Sequence, residues 1–368
     1  MAKRVAMLRS KSVGGVEPRL DKEARALADA GYEVHAILWD RDLAYPAEEH
    51  REGYAIHRIR YRAPYNRPTL AWKVPRWWRK AFALLRKLRP DLVHAADYDT
   101  APPALRAREA WGCRFVFDIW DFYADMITSA IPAGVRQAIA RREADAIRAA
   151  DAVILPDLAR RARLVGPPRR LVEVMNVPEE QSVVPEPHER FVLFYGGNIA
   201  KDRGLLALVQ ACEATGSVLT VAGQGPDEAE LLPLIESSPN ATFLGMVPHD
   251  EVLRLTASAD AIPVLYDPAV TNNRMASPNK LFEAMMFGKP VIVSEGTTMA
   301  NLVHSAGIGL IVPYGDAGAL QEALEKLMLS PRDAAEFGIR GRELYRERYR
   351  WDIMRQRLVA TYRELLGE

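Results

Sequence analysis

Short apolar runs alternate along this chain with stretches whose apolar residues recur every three to four positions, a pattern of buried strands joined by amphipathic helices. The pattern predicts a strand over 4–8, a loop at Gly14-Gly15, a helix over about 21–30 stopped by Gly31, and a second strand over 32–39. Further strands are predicted over 91–94, 115–121, 152–155 and 172–175, with helices over 80–88, from near Pro102, and ending at 147–151. A polar segment, 179–190, carries Pro185 and Pro187 and reads as an interdomain linker. The rhythm then restarts: strand 191–195, glycine loop 196–204, helix 205–214, strand 217–222, loop 223–226, a helix to Ser237, strand 242–244. Beyond it come a helix within 277–290, strands over 291–293 and 309–312, a helix over 316–328, and a long amphipathic tail over 343–366 bent at Tyr349-Arg350-Trp351.

The order of elements makes this an α/β chain with parallel sheets. The words Ala-Ala-Asp-Ala-Val-Ile-Leu (149–155) and Ser-Ala-Asp-Ala-Ile-Pro-Val-Leu (258–265) echo each other about 110 residues apart, which fits two similarly wound halves, although so short an echo also arises by chance. At 368 residues the chain suits two domains, divided here as 1–185, 186–345 and a last helix 346–368.

Hydrophobic content of 49% with 26% charge is a globular composition. Arg4, Arg9 and Lys11 interrupt the only apolar run near the start, and no stretch of about 18 apolar residues occurs, so a cytoplasmic protein is expected. Cys113 and Cys212 stand apart from any metal-ligand spacing and read as packing residues; no metal is expected. The net charge of +1 conceals an asymmetry. Between Gly53 and Pro90 lie Arg58, Arg60, Arg62, Arg67, Lys73, Arg76, Arg79, Lys80, Arg86, Lys87 and Arg89 and no acidic residue, interleaved with Trp72, Trp77 and Trp78. Such a stretch suits an anionic membrane surface, placing the protein at the inner face of the membrane, or an anionic acceptor; a solvated basic face with core tryptophans is the plain alternative. No nucleic-acid motif accompanies it, and no nucleic-acid partner is expected.

The helix at 277–290 carries the sharpest chemistry. Ser277 can cap it, Pro278 suits its first turn, Gly288 can end it and Pro290 forbids its continuation. Free N–H groups near Asn279 and Lys280, with the Lys280 charge, make an anion site. Glu283 lies about 6 Å further along the axis, where a carboxylate can accept bonds from two adjacent hydroxyls, the layout of a nucleoside diphosphate. An ordinary capped helix with a solvated Glu283 remains open on the residues alone. In the loop after Tyr195, Lys201 and Arg203 stand beside glycines and can hold a diphosphate, or face solvent. Gly223 and Gly225 are no dinucleotide fingerprint, since Glu228 takes the third glycine position. Asp118, Trp120 and Asp121 are expected at the far end of their strand, and His94 reads as a hydrogen-bonded structural histidine.

Gly196-Gly197, Gly223-x-Gly225-Pro226, Gly245-Met246-Val247-Pro248, Ala259-Asp260, Glu283-Ala284-Met285-x-x-Gly288-Lys289-Pro290 and Val312-Pro313-x-Gly315-Asp316 follow one another in an order that closely resembles the GT4 family of glycosyltransferases. The first half is similar more loosely, through Gly14-Gly15, Lys22-Glu23-Ala24, Gly31-Tyr32-x-Val34 and Asp118-x-x-Asp121. The resemblance implies a GT-B fold, two Rossmann-like doubly wound domains facing across a cleft with the C-terminal helix crossing back to the first. It also implies a retaining transferase with a nucleotide-sugar donor, UDP- or GDP-linked, and no separate cofactor or metal, acting on a glycan, lipid-linked or small-molecule acceptor. By that analogy Arg203 and Lys280 are the main catalytic groups, stabilising the leaving diphosphate, and Asp118 and Asp121 are candidates beside them. Gly15, Gly197, Asn198, Lys201, Gly223, Gly225, Met246, Val247, Arg274, Ser277, Asn279 and Glu283 surround the donor. Trp72, Trp77, Trp78, Arg76, Arg79 and Lys80 face the acceptor or membrane. Two positions depart from the family. Met275 stands where many members carry a second Glu, leaving Asn273, Arg274 or Ser277 to share its task, and Trp120 stands where many carry a His. An inverting transferase or epimerase using Asp118, Asp121 or His94 as a base, and a binding protein without turnover, are the competing expectations.

Overall fold

The computed structural model of the chain describes residues 2–12, 15–64, 70–123 and 133–368. Gly14 and Arg67 lie outside the described residues. The chain divides into two units, Met1–Met175 with Met354–Glu368, and Asn176–Ile353.

The first unit is built on β1 (Arg4–Arg9), β2 (Glu33–Asp40), β3 (Glu48–Arg51), β4 (Tyr54–Arg60), β5 (Leu92–Ala96), β6 (Arg114–Asp118), β7 (Ala152–Leu155) and β8 (Leu171–Glu173), in the order β3-β4-β2-β1-β5-β6-β7-β8. Every pairing is parallel except β3 with β4. Strands buried on both faces require the apolar runs seen in β1 and β7, and in β5 around His94. The β3–β4 pair was not expected, because the polar residues of β3 and the buried Arg58 of β4 hide a strand pattern.

The helix expected over 80–88 runs over Leu70–Leu88, with Pro75 inside it. This corrects the reading of its tryptophans. Trp77 is wholly buried and stacks on Trp39 with centroids 6.1 Å apart, so it belongs to the core and meets neither membrane nor acceptor. Trp78 is half-buried, its indole N–H donating to the Asp99 carbonyl at 2.7 Å. Trp72 is 84% exposed, on the same helix as exposed Arg76, Arg79 and Lys80.

The unit boundary falls at Met175 rather than 185, because the polar stretch expected as linker is fastened to the second unit. The Tyr345 hydroxyl donates to the Pro178 carbonyl at 3.0 Å, and Arg346 and Arg350 pair with Glu180. The expected bend is the extended Arg350, after which the helix Trp351–Leu366 docks on the first unit from Met354 onward. There Arg357 pairs with Glu173 at 2.9 Å and Arg355 with Asp29 at 3.1 Å.

Asp118 is not released into a loop: it closes β6 and is wholly buried. Arg19 Nε and Nη2 donate to its two oxygens at 3.1 and 2.9 Å, and Arg19 Nη1 donates to the Val174 carbonyl at 2.7 Å. Glu23 lies 3.1 Å from Arg19 and 3.6 Å from His94, whose Nδ1 shares a 2.6 Å hydrogen bond with the hydroxyl of Tyr362 on the last helix. His94 is thus the structural histidine its sequence position suggests. Glu23, His94 and Asp118 come close enough to resemble a metal-ligand set, but Arg19 already supplies the positive charge between the carboxylates.

The second unit holds β9 (Val192–Gly196), β10 (Val218–Ala222), β11 (Ala241–Phe243), β12 (Ile262–Val264), β13 (Val291–Ser294) and β14 (Gly309–Val312). They form parallel runs β11-β10-β9 and β12-β13-β14, joined where Leu193 bridges Ala261. Counted from β9 the order is 3-2-1-4-5-6, the doubly wound arrangement whose ligand crevice opens where the order reverses, beyond the ends of β9 and β12. The two echoing words sit in equivalent places, each carrying the end of a helix into a strand, β7 or β12.

Burial pushes the Glu23 carboxyl up to about 7, with the Asp118 charge adding to the effect against the pull of Arg19 and His94. Folding therefore favours the protonated acid, a contribution present below the ordinary carboxyl range and lost as pH rises through 7. Glu23→Gln, permanently neutral, is expected to flatten the fall in denaturant midpoint between pH 5 and 8, with a difference from wild type of about 1–3 kcal/mol at pH 8. Equal pH dependence of the two proteins would contradict it.

Candidate functional site

Two loops at the reversal point of the second sheet pack against each other. The Gly197 and Ile199 amides donate to the carbonyls of Ala222 and Gln224 at 2.9 and 3.0 Å. At Gly223, φ is 139° and a Cβ would lie 1.8 Å from the Gly197 carbonyl oxygen, so only glycine lets these loops meet. A Cβ at Gly225 would lie 2.2 Å from the Ile199 carbonyl oxygen, so both glycines have a packing reason of their own.

The helix at the site is Asn279–Met286, about two turns within the expected stretch 277–290. Ser277 does not cap it. Pro278 holds the cap position with extended geometry (φ −78°, ψ 145°) and offers no side-chain acceptor to the first-turn amides. Gly288 is left-handed, as expected, and the Lys289 amide closes the helix end on the Ala284 carbonyl at 2.8 Å.

Lys280 is buried, and its ammonium has no hydrogen-bond partner among the described residues. It lies 3.7 Å from the Tyr195 ring centroid and 6.0 Å from that of Tyr266. A Cβ at Gly197 would stand 3.0 Å from this ammonium. Arg203, reached by the loop after β9, packs its guanidinium 4.2 Å from the Tyr266 ring centroid. Its Nη1 meets Asp202 Oδ2 at 2.7 Å and Asn273 Oδ1 at 3.1 Å, while Asn273 Nδ2 donates to Asp202 at 2.8 Å. Glu283 is buried one turn into the helix. Burial, then repulsion from Arg203, pushes Lys280 down to about 7, with Glu283 pulling the other way. Two cations, Arg203 paired with Asp202 and Lys280 without a hydrogen-bond partner among the described residues, beside a helix start with no side-chain cap, form a place for a polyanion.

The remaining expected residues divide. The half-buried Asn279 keeps a buried side-chain oxygen without a hydrogen-bond partner among the described residues. The Asn198 carbonyl accepts from the Tyr195 hydroxyl at 2.7 Å. Ser277 and Val247 are half-buried, and Met246 is 64% exposed. Lys201 does not join Arg203: it is exposed and paired with Glu230 at 2.7 Å. Arg274 is exposed and donates to the Pro268 carbonyl at 3.2 Å. Gly15, Asp118 and Asp121 belong to the other unit, Gly15 at φ 89° and Asp121 paired with Arg160 at 3.1 Å and pushed up by burial. The sequence reading missed Tyr195 and Tyr266, whose positions at the ends of β9 and β12 were the available signal.

Two Rossmann-like units of this kind make the GT-B architecture, and solved structures agree. The sucrose-phosphate synthase from Thermosynechococcus elongatus superposes with a TM-score of 0.83 at 20% identity, covering 99% of each chain. The Anabaena protein HepE in complex with UDP superposes at 0.73 with 16% identity, covering 98% of this chain and 100% of that one. Residues 14–177 match the family described as glycosyl transferase 4-like domain, and residues 176–344 the family described as glycosyl transferases group 1. Together the matches run from 14 to 344, and the chain belongs to this GT4-like glycosyltransferase family. Among curated relatives, the D-rhamnosyltransferase WbpZ of Pseudomonas aeruginosa is 31% identical over 43% of this chain and 41% of its own length. The phosphatidyl-myo-inositol mannosyltransferase of Mycobacterium leprae is 26% identical over 57% and 58%. The matched stretch thus spans about half the length of these relatives.

Because Lys280 sits near 7 in the folded chain against an ordinary lysine value of 10.5, the unfolded chain holds more protons between those values. Stability therefore rises with pH across that window and carries the full penalty of the buried ammonium below 7. Lys280→Met is expected to raise the stability of the empty protein on the order of 2 kcal/mol at pH 7, with the gain vanishing toward pH 10.5. A pH-independent gain, or none, in thermal melts would contradict it.

Proposed function

We propose that the chain is a retaining glycosyltransferase that moves a sugar from a UDP- or GDP-sugar to an acceptor hydroxyl, in glycan or glycolipid assembly at a membrane surface. The observation that carries this reading is the unpartnered Lys280 ammonium beside Arg203, with Glu283 one turn along the same helix. Loosening the bond from anomeric carbon to phosphate puts negative charge on the leaving diphosphate. Lys280 and Arg203, already desolvated, stabilise that charge without reorganising. The acceptor hydroxyl attacks from the leaving group's face and passes its proton to the departing phosphate, so no protein base is needed. In keeping with this, Asp118 and Asp121 are held in ion pairs with Arg19 and Arg160. Glu283 accepts from the ribose hydroxyls.

The membrane part rests on the helix Leu70–Leu88, whose exposed residues include Trp72, Arg76, Arg79, Lys80, Arg86 and Lys87 and no acid. Anionic headgroups attract such a face while an indole settles at the interface. Among the described residues no helix is long and apolar enough to cross a membrane. The names of relatives acting in polysaccharide and phosphatidylinositol glycoside assembly point the same way.

A thermal-shift panel of UDP-, GDP-, ADP- and dTDP-sugars is expected to give stabilisation with the true donor. Arg203→Ala should then lower turnover of that donor about 10²- to 10³-fold with the fold intact. Near-normal turnover would remove Arg203 from the mechanism, and an inverted product anomer by NMR would replace it with a base-dependent one. Neutralising Arg76, Arg79 and Lys80 together should weaken sedimentation with anionic liposomes; unchanged sedimentation would remove the membrane part.

A further inference from the structure

Lys280 has two neighbours that bear charge, Arg203, which repels it, and Glu283, which attracts it. Arg203 has anchors of its own in Asp202 and Asn273. Lys280 has no such anchor, and its ammonium makes no hydrogen bond among the described residues. What it does have is the face of Tyr195, 3.7 Å from ring centroid to nitrogen. That ring is fixed from both ends: Tyr195 lies in β9 with 1% of its surface exposed, and its hydroxyl donates to the Asn198 carbonyl at 2.7 Å. Burial keeps the Tyr195 phenol protonated far above neutral pH, so the ring stays uncharged.

We infer that Tyr195 is a positioning residue: its ring face holds the Lys280 ammonium at the point where the donor diphosphate arrives, in place of an anionic partner. The inference rests on the reading of this pocket as a diphosphate site. An aromatic face attracts a cation through its quadrupole and leaves the ammonium hydrogens free to donate. A carboxylate in the same place would take those donors, and an arriving diphosphate would have to break that ion pair first. Gly197 serves the same end, since a side chain there would press on the ammonium. Tyr266 repeats the device at Arg203, with less depending on it because Arg203 is already hydrogen-bonded.

Isothermal titration with inorganic pyrophosphate, UDP and GDP between pH 6 and 9 tests this on wild type, Tyr195→Phe, and a protein with pentafluorophenylalanine at position 195. Fluorination keeps the shape of the ring and removes the negative potential of its face. In wild type and Tyr195→Phe affinity is expected to fall as pH rises above 7 because binding needs the Lys280 proton, and the Phe variant, which lacks the hydroxyl bond to Asn198 as the fluorinated protein does, is the reference for it. The fluorinated ring should weaken binding about tenfold, the scale of a desolvated cation–π contact, and move that fall to lower pH. Equal affinity and an equal pH midpoint for the fluorinated protein would overturn the positioning role while leaving the diphosphate site standing. If wild type bound none of the three anions, the reading of the pocket itself would fail.

Discussion

A positive charge held out of water with no anion against it is the constraint on which the second unit depends. An isolated ammonium is among the least favourable groups to bury, and the usual remedy is a carboxylate at hydrogen-bond distance. Around Lys280 no carboxylate stands at hydrogen-bond distance among the described residues: Arg203 adds a like charge, Glu283 attracts without bonding it, and the Tyr195 ring lies against the ammonium. The rest of the unit supports this arrangement. The helix Asn279–Met286 buries every residue from Lys280 to Met286, so its apolar contacts fix the backbone that carries the lysine. Gly288 and Gly338 allow a second helix close enough that a Cβ on Gly338 would lie 1.9 Å from the Gly288 carbonyl oxygen. Phe282 packs on Tyr349, with centroids 5.0 Å apart.

The first unit solves the same problem in the opposite way. Many of its buried charges are paired, and pairs such as Arg19 with Asp118 join elements far apart in sequence. Arg19 ties the helix Pro18–Asp29 to β6 through Asp118 and to Val174, just after β8, through its carbonyl. His94 ties β5 to the last helix through Tyr362. These paired ions resist opening, because removing one partner leaves the other uncompensated. A pair whose members satisfy each other has little left to offer a ligand, which is why the chemistry is argued from Lys280 rather than from the more numerous charges around Asp118.

Much of the architecture was legible because parallel strands buried on both faces leave long apolar words, and each word in 191–222 and 291–312 lies within a residue or two of its strand. The edge pair β3–β4 was not, since half its surface meets water and Arg58 occupies a buried position there, paired with Glu49 at 2.7 Å. The helix before Lys80 was hidden by Pro75, which lies inside Leu70–Leu88 although a proline argues against a helix interior. Domain limits were misplaced because polar composition was read as linker, whereas Glu180 there pairs with Arg346 and Arg350 of the second unit and the Pro178 carbonyl accepts from Tyr345.

At the site, the sequence showed which residues carry charge but not which charges are already taken. Lys201 and Arg203 stand two residues apart in one loop, and nothing in their order distinguishes the exposed pair of Lys201 with Glu230 from the half-buried seat of Arg203 between Asp202, Asn273 and Tyr266. Trp77 and Trp72 likewise look equivalent until the helix places one against Trp39 and the other in solvent. Availability is a property of packing, and sequence patterns report packing only through apolar periodicity. An aromatic ring that serves a cation reads in the sequence as one more core residue. The absence of a second Glu at Met275 can thus coexist with a well-formed cation site, because the groups that hold the two positive charges are Tyr195, Tyr266, Asp202 and Asn273, none of which depends on that position.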